Sequence, residues 1–86
     1  MPRTRIASRT HIVEDGREVL AILRADSQTI NVVLVALTDA VELEIWADGT
    51  LRRRARFLRD GEARKHSERL AARLVRRGYA VTAPAR

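Results

Sequence analysis

Four cations along one stretch of this chain, Lys65, Arg69, Arg73 and Arg76, have the type and spacing best suited to a chemical task. Intervals of four, four and three residues place them within about 80° of one another on a 3.6-residue wheel, with Glu62 the only acid in the stripe. A solvated helix face usually mixes both signs. An almost unbroken cationic ridge suits the neutralisation of phosphates, as in nucleic acid or another polyanion. Arg56 and Arg59, just upstream, join the candidate set because the expected strand register leaves both unpaired. For stacking of unpaired bases the sequence offers little, with Trp46 the one aromatic on the outer face of the expected sheet.

Other chemistries find no support. The chain has no cysteine, which removes disulfides, thiolate metal sites and cysteine nucleophiles together. His11 and His66 are the only histidines, and no His-Glu-x-x-His or comparable spacing exists, so neither a metal site nor a bound cofactor is expected. His66 falls at the border of an apolar helix arc, as a half-buried structural histidine would. Ser8, Ser27 and Ser67 lack a Gly-x-Ser-x-Gly elbow, and the four glycines are isolated rather than gathered in a phosphate loop. A non-enzymatic protein without catalytic residues is the resulting expectation.

The charge has a direction along the chain. The net charge is +6, but residues 10–50 carry about −6 and residues 51–86 about +9. Nearly all the positive charge is arginine, with Lys65 the single lysine. Abundant arginine and alanine are what a GC-rich coding sequence produces, which discounts the arginine count without explaining its clustering.

The elements that must position these residues are clearest at the C-terminal end. Residues 62–77 hold no Pro or Gly and are rich in helix formers, with Asp60 as an expected cap and Gly78 where a left-handed residue ends a helix. Ala63, His66, Leu70, Ala71, Leu74 and Val75 form the arc expected to face the core, and Tyr79 should fold back on Leu74. Before the helix, residues 41–46 and 51–58 alternate around Asp48-Gly49, the strongest short-range signal of a hairpin. A two-residue loop would mix apolar and charged groups on both faces. A three-residue loop, Ala47-Asp48-Gly49 with Gly49 in a left-handed bulge, places Val41, Leu43, Ile45, Leu51, Ala55 and Phe57 on one face. It sets Glu42 and Glu44 opposite Arg52 and Arg54 as cross-strand ion pairs, and leaves Arg53 snorkelling on the apolar face.

Residues 29–37 are β-branched and continuous, a strand covered on both faces. Residues 17–25 admit two readings. A turn at Glu14-Asp15-Gly16-Arg17 would join strands 9–13 and 18–24 in a meander; a capping box of Asp15 and Glu18 would instead open a short helix. On the helical reading, the order α-β-β-β-α resembles the double-stranded-RNA-binding domain, whose last helix begins Lys-Lys-x-Ala-Lys, and Arg64-Lys65 matches its first two basic positions. The stretch 41–79 also resembles small bacterial domains ending in a glycine and an aromatic, a likeness that implies no function.

The expected fold is therefore α+β: one domain over residues 1–86, an antiparallel sheet with the C-terminal helix across one face, and frayed ends at 1–4 and 83–86. No segment approaches the ~20 apolar residues of a spanning helix, so a cytoplasmic protein without membrane contact is expected. One helix covers one face only, while residues 32–35 are apolar on both. Either residues 17–25 supply the second cover as a helix or another copy of the chain does, and a homodimer is the favoured expectation. Two functions follow: a basic module binding nucleic acid or another polyanion through its C-terminal half, or an oligomerisation or protein-interaction module whose arginines are incidental.

Overall fold

A computed structural model describes residues 13–14 and 16–83. The described residues form β1 (Val13–Glu14), β2 (Arg17–Ala25), β3 (Gln28–Ala36), β4 (Val41–Ala47), β5 (Thr50–Phe57), α1 (Asp60–Arg76) and β6 (Ala80–Ala83). The fold is α+β. Strands β2 to β5 make an antiparallel meander, α1 packs on one face, and β6 returns to pair with β2. His11, the upstream part of the strand expected over 9–13, and residues 1–4 and 84–86 of the ends expected to fray lie outside the described residues, whereas Ala83, also expected to fray, is held in β6 by pairing with Ile22.

Residues 17–25 are a strand, and the turn before it has Gly16 at φ +75°. The helical alternative and the element order of the double-stranded-RNA-binding domain both fall with this. The physical reason is tertiary: Val19, Ala21, Ile22 and Leu23 pair along β3, and extended backbone serves both apolar sides of the segment. A bulge between Val19 and Ala21 inserts Leu20 and changes which side the following residues face.

The β4–β5 loop has two residues, not three. Ala47 pairs with Thr50, and Asp48 and Gly49 take φ values of 51° and 83°, as in a type I′ turn. The extra residue that restores the apolar face lies inside β5, where Arg52 bulges between the pairs Trp46↔Leu51 and Ile45↔Arg53. Val41, Leu43, Ile45, Ala55 and Phe57 thus share the helix side with Arg53, as expected. Leu51 does not, because it pairs with Trp46 on the opposite side of the bulge.

The core is thin and aliphatic. Leu23, Val32, Leu43 and Ala63 are wholly buried between the sheet and α1, with Leu20, Leu70, Ala71, Leu74 and Tyr79 packed around them. On α1 the residues that meet the sheet most closely are small, Ala63 and Ser67, one turn apart. Ser67 is buried where His66 was expected to be, and His66 and Val75 are exposed. The axis of approach explains this, since small side chains let a helix sit low on a sheet.

Asp60 is the first helical residue rather than the cap, and Arg59 in the cap position makes no side-chain cap bond. The carboxylate of Asp60 instead accepts from Arg64 Nε at 2.8 Å. The C-terminus follows the Schellman pattern: Tyr79 N donates to Leu74 O at 3.1 Å, Gly78 N to Val75 O at 3.0 Å, and Gly78 has φ +105°. That reversal aims Ala80–Ala83 at the edge of β2, a strand not anticipated from the sequence.

Candidate nucleic-acid interface

The structure divides the expected basic residues into three groups. Lys65, Arg69, Arg73 and Arg76 are all exposed on α1, away from the buried Ala63 and Ser67, with Arg73 on the side nearest Leu70. Among the described residues none of these four has an acidic group within ion-pair distance. From Lys65 to Arg76 the ridge spans roughly 16 Å at 1.5 Å per residue, long enough to meet more than one phosphate of a strand. Arg59 is exposed at the opposite end of α1 from Arg76.

Arg56 belongs elsewhere. Its register partner is Glu42, on the sheet face away from α1, and its guanidinium lies 3.8 Å from that carboxylate. The expectation that it stays unpaired is incorrect because the two-residue loop and the bulge at Arg52 each move the later β5 residues by one position relative to the expected register, two in all. For the same reason Glu42 is shared between Arg54, at 3.9 Å, and Arg56, while Arg52 is the bulged residue and has no direct register partner on β4. These ion pairs are solvent-exposed on the arginine side and contribute little.

Glu44 is engaged by a residue that local reasoning did not suggest. Arg17 of β2 reaches across β3 and donates to both carboxylate oxygens, at 2.6 and 3.2 Å. Trp46 Nε1 donates to the same carboxylate at 3.0 Å. The Arg17 hydrogen bond holds the Glu44 carboxyl below the usual carboxylate range, against the opposing effect of burial. With its N–H committed and its ring half-buried, Trp46 is a structural residue rather than a stacking platform.

The structure adds a groove to the ridge. Between α1 and β5 lies an open pocket of about 290 Å³ floored by Leu43, Ile45, Ala55 and Leu70. Arg53 borders it from β5, and His66 and Arg73 border it from α1. His66 also packs on Phe57 with ring centroids 5.3 Å apart and planes tilted by 48°. Arg53 was legible as a charge stranded on the apolar face. That it and Arg73 border one groove was not, because only the packing of the helix brings them together.

On the other flank of α1 the cations are structural. Arg64 donates to Glu18 of β2 at 2.7 Å and to Asp60 at 2.8 Å, and the Glu18 hydrogen bond raises its affinity for its proton above the ordinary guanidinium range. Among the described residues no group of three or more His, Asp or Glu side chains is placed to hold a metal ion. No described helix is long and apolar enough to cross a membrane. No protein-family model, curated protein or solved structure matches the chain.

Proposed function

We propose that the chain is a non-enzymatic module that binds nucleic acid through the solvent side of α1. The observation that carries this reading is the ridge of Lys65, Arg69, Arg73 and Arg76, four exposed cations without an ion-pair partner among the described residues. Elsewhere Arg17 pairs with Glu44, Arg54 and Arg56 with Glu42, and Arg64 with Glu18 and Asp60; Arg24, Arg52, Arg53, Arg59 and Arg77 are in no described ion pair either, so the ridge is set apart by its alignment on one helix face. A surface that leaves one helix face uncompensated has charge available for an external anion, and regularly spaced phosphates supply it without sequence preference. Binding of labelled oligonucleotides at two salt concentrations tests this. Affinity should fall steeply with salt, and reversal of Arg69 and Arg73 to Glu should reduce the slope of log affinity against log salt by roughly one for each phosphate no longer neutralised. Absence of binding at ~50 mM salt, where phosphate contacts are strong, would sink the reading.

A second reading is supported by the other sheet face. Val19, Ile22, Val33, Val35, Trp46 and Leu51 share it by register, and no described helix or strand packs on it. With residues 17–25 a strand rather than a covering helix, this reading assigns the cover to a second copy of the chain. Light scattering at tens of micromolar should then report twice the 9.7 kDa chain mass, and a value at the chain mass would remove this reading.

A further inference from the structure

We infer that the groove between α1 and β5 takes one unstacked base of a single-stranded nucleic acid, with Arg53 and Arg73 holding the phosphates on either side of it. This rests on the reading of α1 as a phosphate-binding helix and specifies which form of nucleic acid the module prefers.

Three features converge on that ligand. The floor of Leu43, Ile45, Ala55 and Leu70 is aliphatic, and Ala55 leaves open a space that a larger residue on β5 would fill. At about 290 Å³ the groove lies at the lower end of the ~300–1,000 Å³ range of small-molecule pockets, which suits one ring system better than an extended ligand. Its walls bring cations from two different elements, Arg53 from β5 and Arg73 from α1. An aliphatic acid has an anionic group at one end only. A nucleotide within a strand has a flat ring with apolar faces flanked by two phosphates, which suits a groove lined by aliphatic side chains and two guanidinium groups.

The groove also continues the ridge. Arg73 belongs to both, so a strand following Lys65, Arg69 and Arg76 along α1 passes the groove with its phosphates already engaged. His66 adds an exposed ring at the wall, held against Phe57, on which the edge of a base can rest. A duplex keeps its bases stacked and presents only its backbone, so it would gain the ridge contacts and not the groove.

The test compares three labelled probes of equal length at low salt: oligo-dT, a duplex containing it, and an abasic deoxyribose-phosphate strand with the same phosphates and no bases. The wild-type chain should bind oligo-dT roughly tenfold more tightly than the abasic strand, the scale of removing one base face from water against an aliphatic surface. Ala55→Leu, which fills the groove, should bring oligo-dT binding down to the abasic level and leave duplex binding unchanged. Equal affinity for oligo-dT and the abasic strand overturns the inference even if Ala55→Leu does not fold. In that case a weaker, less salt-dependent binding of all three probes by the Arg69→Glu, Arg73→Glu variant would leave the phosphate-binding reading standing. Failure of every probe to bind the wild-type chain would instead remove that reading itself.

Discussion

Arg17 and Glu18 are consecutive on β2 and point to opposite faces of the sheet, where each anchors an ion pair with a distant element. Arg17 closes on Glu44 of β4 across β3, and Glu18 accepts from Arg64 of α1. One dipeptide therefore ties the meander together on one side and the helix to the sheet on the other. The start of β2 is fixed in register as a result, since a slip by one residue would exchange the two faces and break both pairs.

The first pair makes stability sensitive to acid. The Arg17 hydrogen bond lowers the Glu44 pKa in the folded state, so its contribution is present above the unfolded value of about 4.5 and is lost as pH falls through the folded value. Urea denaturation should show stability declining below about pH 4.5, and Glu44→Gln should make that decline shallower. At neutral pH Glu44→Ala should destabilise by ~1–3 kcal/mol, because it removes the bidentate acceptor of Arg17 and the acceptor of Trp46 Nε1.

The second pair is more exposed, with the Arg64 side chain 42% and the Glu18 side chain 24% accessible, and its effect is correspondingly smaller. A double-mutant cycle with Glu18→Gln and Arg64→Ala should return a coupling of ~0.5–1 kcal/mol after solvent screening. A coupling indistinguishable from zero would show that packing alone orients α1.

Gly49 is the second residue of the β4–β5 turn at φ +83°, with no atom within 4 Å of where a Cβ would lie. Gly49→Val should lower stability by ~1–2 kcal/mol through backbone strain alone. Gly49→Asn, which tolerates a left-handed backbone, should recover most of the melting temperature. Equal melting points for Val and Asn would contradict this account.

Ser67 is buried against the sheet at the closest approach of α1. Ser67→Leu should overpack this contact and cost about 1–3 kcal/mol, whereas the same change at exposed Arg69 should have little effect on thermal unfolding.

Local signals accounted for the elements and not for their offsets. Asp48-Gly49 marked the hairpin, and Gly78 with Tyr79 marked the helix end, because turn and cap chemistry is written in neighbouring residues. The alternation of Val41 to Phe57 showed that one extra residue was needed. It did not show where, since a bulge at Arg52 restores the face as well as one in the loop. β6 escaped notice because Ala80–Ala83 is short and its partner, β2, lies about two thirds of the chain away. The ridge on α1 followed from helical spacing, and Arg73 was read as part of it. The groove beside it depends on how α1 crosses β4 and β5, which no local pattern records.

The outer edge of β2 is covered in two pieces, by β1 at Arg17 and Glu18 and by β6 at Ile22 to Arg24. β6 emerges from the ribosome after every other described element. Until Ala80–Ala83 is made, the nascent sheet holds an apolar strand with part of its backbone unpaired, the arrangement on which chains join edge to edge. The opposite border, β5, carries Arg52, Arg53, Arg54 and Arg56, whose mutual repulsion discourages such joining at any stage. During synthesis the molecule is thus guarded by charge on one border from the moment β5 exists, and on the other only once its last strand arrives.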